Sequence, residues 1–125
     1  MIINFNKGKK VDYINATETE EYFNGTSRRT LTFECNKNAI SIDELNTILS
    51  DENNTKKIVL EGDVLEDGTV PTSINEGYVL KLKVGVEPVL VSSETPETPA
   101  KFEDRILFKL GKRTYIEEQL KKLGL

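Results

Sequence analysis

The sharpest hydrophobic pattern in the chain is a strict alternation. In "YVLKLKVGVEP", Tyr78, Leu80, Leu82, Val84 and Val86 fall on one side, against Lys81, Lys83 and Glu87 on the other. A period of two with one apolar face marks a half-buried strand. Pro88 has no N–H for a ladder, so the strand is predicted to lie at a sheet edge there, to bulge, or to end, with "VLVSS" as its continuation. The same period marks "RRTLTFEC", where Leu31, Phe33 and Cys35 oppose Thr30, Thr32 and Glu34. "IINFN" alternates through Ile3 and Phe5, while "VDYINATET" and "KKIVLEGD" read as further strands by their β-branched and aromatic content. "KGKK" and Asn24-Gly25 read as turns, because glycine and asparagine tolerate positive φ. "EDGTVPTSINEG", with Asp67-Gly68, Pro71 and Gly77, reads as a loop.

The period changes to that of a helix in "KNAISIDELNTILSDENN". Ser41 as N-cap and Glu44 three residues later form a capping box, with Ile40 and Leu45 as a hydrophobic staple. Ile42, Leu45, Ile48 and Leu49 make one apolar stripe, and "DENN" ends it. Three turns are marginal alone, so the stripe is expected to pack on a sheet. A second capping box, Thr114 with Glu117, opens "TYIEEQLKKLGL". There Ile116, Leu120 and Leu123 line one face, Lys121 and Lys122 suit the negative helix end, and Gly124 is placed to terminate it. "DRILFKL" before it reads as a strand; the alternative is one long helix from Phe102 to Leu123, against which Gly111 and the new capping box argue. "SSETPETPA", Ser92 to Ala100, reads as a proline-stiffened spacer.

Together these elements predict an α+β fold: a mainly antiparallel β-sheet of five or six strands, one short packed helix and a C-terminal amphipathic helix. Residues 1–91 form the β-rich domain with its helix at about 41–50, residues 92–100 the spacer, and residues 101–125 a strand and helix packed on the same domain. A length of 125 residues is ample for one core. No apolar run approaches the roughly 18 residues of a membrane span, and the N-terminus turns from apolar to basic, the reverse of a signal peptide's order.

Composition removes most chemistry. The chain has no histidine, so the commonest general base and metal ligand is missing, and with it every Ser-His or Cys-His arrangement. A single cysteine, Cys35, excludes an intrachain disulfide or a cysteine zinc site, and its place on an apolar strand face marks it as core. "EGDVLEDG" holds four carboxylates in eight residues, but Val64 and Leu65 interrupt the alternation that a calcium loop needs. "LGKRT" lacks the spacing of a phosphate-binding loop. No catalytic, metal or cofactor-binding residue is assigned, and neither a cofactor nor a small-molecule substrate is expected.

Charge is unevenly spread, with balances of +1 over residues 1–40, −8 over 41–100 and +3 over 101–125. Opposite regions of this kind steer docking or self-association. An overall pI near 5.0 argues against nucleic acid as a partner, despite Lys109, Lys112, Arg113, Lys121 and Lys122 near the C-terminus.

One pattern carries a family resemblance. Arg29, Leu31 and Phe33, then Ser41 to Leu45, then Asn54 and Ile58, then Gly77, Tyr78 and Leu82 reproduce an "R-x-L-x-F" strand, an "S-I-D-E-L" helix, an "N-x-x-x-I" strand and a "G-Y-x-x-L" strand. Over roughly residues 28–90 the chain resembles small proteins of the tail and baseplate modules of phages and prophages of Gram-positive bacteria. The resemblance implies a non-enzymatic structural or tail-assembly protein whose partners are other tail or baseplate proteins or itself. It places the chain in the bacterial cytoplasm during assembly, or in the virion, without nucleic-acid or membrane partners. Ile116, Leu120 and Leu123 are then the candidate partner-binding residues. A rival reading is a small carbohydrate or host-surface module using the loop Asp63 to Gly77, with Tyr78 as its nearby ring.

Overall fold

A computed structural model describes residues 1–23, 25–93 and 95–124. Its eight strands form two four-stranded sheets, both antiparallel throughout. The strands are β1 (Ile2–Phe5), β2 (Lys10–Asp12), β3 (Asn15–Phe23), β4 (Thr26–Asn36), β5 (Lys57–Glu61), β6 (Thr72–Glu76), β7 (Leu80–Ser92) and β8 (Lys101–Gly111). Helices α1 (Ile42–Leu49) and α2 (Glu52–Thr55) lie between β4 and β5, and α3 (Tyr115–Lys122) closes the chain. One sheet has the order β2-β1-β5-β6, the other β3-β4-β8-β7. The α+β class stands, but the single sheet of five or six strands is corrected to two.

The division begins inside "VDYINATET", which the sequence presents as one strand. Its first part, β2, joins β1; its second part, β3, joins β4 in the other sheet. Tyr13 and Ile14 make the crossing, with the Tyr13 N–H donating to the Met1 carbonyl at 3.0 Å and the Ile14 N–H to the Glu34 carbonyl at 2.7 Å. Each amide is thus satisfied by a different sheet, which lets one apolar stretch serve two layers. The Tyr13 ring meets Phe33 edge-on at 6.2 Å, and Phe33 stacks on Phe108 at 4.7 Å.

The core gathers the inward positions of both sheets. Ile3, Phe5, Ile58 and Leu60 come from one, Leu31, Phe33, Cys35, Ile106, Phe108 and Leu110 from the other. Leu45, Ile48 and Leu49 of α1 join the same cluster, so the helical stripe packs as the spacing requires. Fully burying one such side chain is worth about 1.5–3 kcal/mol.

Local details diverge from the sequence reading for identifiable reasons. The Ser41 hydroxyl caps the Glu44 N–H at 3.1 Å, but the Glu44 carboxylate faces Lys9 at 3.4 Å instead of completing the box. "DENN" starts a new turn, α2, because Asp51 caps the Asn53 N–H at 2.9 Å. Thr72–Glu76 is not loop but an edge strand, held by backbone pairing with β5 and carrying no apolar face to betray it. Thr30 is fully buried rather than facing water, since Arg28 and Leu82 crowd the neighbouring Gly111 on that side. The single apolar face read from Tyr78 to Val86 is thereby corrected, because a bulge between Lys81 and Lys83 puts Leu80 and Leu82 on the side opposite Val84 and Val86. Pro88 lies in β7, an edge strand, consistent with its missing donor. Of the spacer, Glu94 lies outside the described residues; the others lie at the far end of a hairpin in which β7 and β8 pair out to Ser92 and Lys101. Of the Asn24-Gly25 turn signal, Asn24 lies outside the described residues; Gly25 has φ +80°.

Candidate protein-protein interface

The C-terminal segment is a strand, a short connection and a helix, not one long helix. α3 begins with both halves of its capping box. The Thr114 hydroxyl accepts the Glu117 N–H at 3.3 Å, and the Thr114 N–H donates to Glu117 Oε1 at 2.8 Å. Gly124, φ +78°, follows the C-cap, and its N–H donates to the Lys121 carbonyl at 3.0 Å.

The polar side of α3 faces the body of the protein. Arg28 of β4 donates from Nη1 to Glu117 Oε1 at 2.6 Å and from Nη2 to Oε2 at 3.2 Å, and also to the Lys112 carbonyl at 3.0 Å. The Arg28 side chain is buried, so this forked pair is shielded on one side. Arg28 beside it, and then the Thr114 N–H, hold the Glu117 carboxyl down at about 2. Glu52, at the start of α2, accepts from both Arg113 and Lys121, which lower its pKa in that order. Two elements distant in sequence, β4 and α2, thereby grip one face of α3.

The apolar side of α3 faces solvent. Ile116, Leu120 and Leu123 are 69 %, 44 % and 73 % exposed, and no residue of the helix is buried. An amphipathic helix that folds against its own domain turns its apolar stripe inward; this one is turned the other way. The structure thus brings the three candidate residues together on one accessible face.

Sequence reasoning missed Arg28 and Glu52. Glu117 was legible as half of a capping box, but its partner 89 positions away was not. Arg29, the next residue on β4, points to the other face and pairs with Glu18 at 2.8 Å. Glu18 also accepts from the Tyr78 hydroxyl, and Lys112 Nζ sits 5.0 Å from the Tyr78 ring centroid. Burial, then the Glu18 hydrogen bond, pushes the Tyr78 phenol up to about 12.

Tyr78 is only 1 % exposed, so its ring is not offered to a sugar beside the loop Asp63 to Gly77. That loop closes on itself: the Leu65 N–H donates to the Thr69 carbonyl at 2.8 Å, and Asp67 accepts both the N–H and the hydroxyl of Thr69. Among the described residues, no group of three or more His, Cys, Asp or Glu is placed to hold a metal ion. The basic residues around the start of α3 are largely spent on carboxylates: Arg28 on Glu117, Arg29 on Glu18 and Arg113 on Glu52. Among the described residues no helix is long and apolar enough to cross a membrane. Comparison with protein families, with curated proteins and with solved structures gives no match.

Proposed function

We propose that the chain is a non-enzymatic virion or tail-assembly component of a phage or prophage of Gram-positive bacteria, acting through protein-protein contacts. One observation carries the reading: α3 is anchored by its charged side and leaves Ile116, Leu120 and Leu123 to solvent. A partner covering that face gains the burial that the isolated chain forgoes. The protein acts in the bacterial cytoplasm during assembly or within the particle, where its partners are tail or baseplate proteins.

Removing the chain beyond Ala100 does not test this, because β8 is an interior strand of its sheet and its loss unfolds the core. Substitution does. Tagged protein is captured from source cells after prophage induction, alongside the double variant Ile116→Asp/Leu120→Asp. Tail or baseplate proteins recovered with the wild type and lost with the folded variant are the expected outcome. Capture of no particle protein from cells that release particles, or an unchanged set with the variant, overturns the proposal.

A further inference from the structure

The apolar face of the larger sheet does not stop where its cover stops. β4 pairs with β8 only from Arg105 to Gly111, whereas β7 pairs with β8 out to Lys101. The outer part of the β7–β8 pair is therefore a two-stranded ribbon beyond the four-stranded sheet. On it Val86 opposes Ile106, Pro88 opposes Asp104 and Leu90 opposes Phe102. The face that carries Ile106, Phe108 and Leu110 thus continues outward with one carboxylate, Asp104, between its apolar pairs. Ile106 is fully buried, but Val86, Leu90 and Phe102 are 49 %, 49 % and 65 % exposed. A two-stranded ribbon with an open apolar face is marginal by itself.

The molecule carries a second such surface, the outward face of α3, at the other end of the same strand. Phe102 is the second residue of β8, and Gly111 ends the strand four residues before α3 begins. At about 3.4 Å per residue the two surfaces are roughly 30 Å apart, so one chain cannot fold one onto the other. Their charges are opposite. Residues 88–104 carry four acidic and one basic side chain. Of the four basic residues over 112–123, Arg113 and Lys121 are held by Glu52, so Lys112 and Lys122 are the cations that set the sign of the α3 surface.

We infer that the occupant of the ribbon is a second copy of this chain, which presents its α3 face. The Leu90–Phe102 pair packs against Ile116, Leu120 and Leu123 of the neighbour, with acidic ribbon positions beside Lys122 and Lys112. Such a contact joins unlike surfaces, so it propagates head to tail and closes into a ring or extends as a filament, not a two-fold dimer. This rests on the assembly reading above and names the partner.

The test uses the purified full chain and two variants, Phe102→Asp on the ribbon and Leu120→Asp on the helix. Both sites are exposed, and circular dichroism checks that both variants fold. Sedimentation of the wild type at up to about 100 μM is expected to show species larger than a dimer, and each variant alone a monomer, its dissociation constant raised at least about tenfold. Mixing the two variants restores one intact ribbon and one intact helix face, and so gives a 1:1 complex that grows no further. A monomeric wild type, a variant that still assembles, or variants that fail to pair would overturn the inference. If the monomeric wild type nonetheless captures tail proteins from induced cells, self-association falls while the assembly function stands.

Discussion

Arg28 and Glu117, 89 residues apart, meet as a two-bond fork that holds the C-terminal helix to the sheet. The same carboxylate closes the helix's capping box through the Thr114 N–H. One side chain therefore starts the helix and fixes its orientation, which is what leaves Ile116, Leu120 and Leu123 outward. Neutralising it tests both roles. Glu117→Gln keeps a cap acceptor but leaves the buried guanidinium without its counter-charge, a loss of about 1–2 kcal/mol. Thermal melting should show that loss, and hydrogen exchange should show α3 amides exchanging faster while β4 and β8 stay protected. Unchanged α3 protection would mean that the fork does not hold the helix.

Acid should release the same contact. Folding lowers the Glu117 carboxyl from 4.5 to about 2, so its stabilisation is complete above the unfolded value and disappears as pH falls through the folded one. Glu52 and Glu18 are lowered too and act in the same direction. Because Glu117 is partly exposed, its share is on the order of 1 kcal/mol after solvent screening. Melting temperature is expected to fall between about pH 5 and pH 2, with a shallower slope for Glu117→Gln. Parallel curves for the two proteins would show that the acid loss comes from elsewhere.

Gly111 lacks a side chain because there is no room for one. A Cβ there would sit 2.8 Å from Arg28 Cδ and 2.9 Å from Leu82 Cδ1. Arg28 is fixed by Glu117 and cannot yield without loosening α3. Gly111→Ala should therefore cost about 1–3 kcal/mol through overpacking. In addition, the α3 amides should lose protection as they do in Glu117→Gln. A fully stable Gly111→Ala protein would show that Leu82 and Arg28 repack freely.

Cys35 offers a probe of core opening. It is fully buried on β4, and burial, with Glu34 second, raises its thiol to about 12. A disulfide reagent at neutral pH should label it at least about a thousandfold more slowly in the native protein than in urea-unfolded chain. Labelling at near-unfolded rates would mean that β4 opens readily, contrary to its interior place in the sheet.

Much of the fold follows from local sequence. Strict alternation placed β4 and the core half of β8, because a strand with one buried face must repeat every two residues. In β7 it marked the strand but not its faces, since the bulge between Lys81 and Lys83 turns Leu80 and Leu82 to the Gly111 side and Val84 and Val86 to the Phe108 side. Ser41 and Thr114 announced their helices, since a cap is a contact between residues three apart. The outward candidates Ile116, Leu120 and Leu123 were legible as one stripe for the same reason. What the sequence could not express was which element each stripe meets. "VDYINATET" carries no sign that Tyr13 and Ile14 switch sheets, because the switch is set by amides satisfied at Met1 and Glu34. β6 has no apolar face and exists through its backbone pairing with β5. Glu117 reads as a cap, yet only the folded chain brings Arg28 beside it and so turns the helix's apolar side to water. Short-range geometry is written in neighbouring residues; orientation is decided by charges and hydrogen bonds between positions far apart in the chain, and these come together only when the two sheets close on one core.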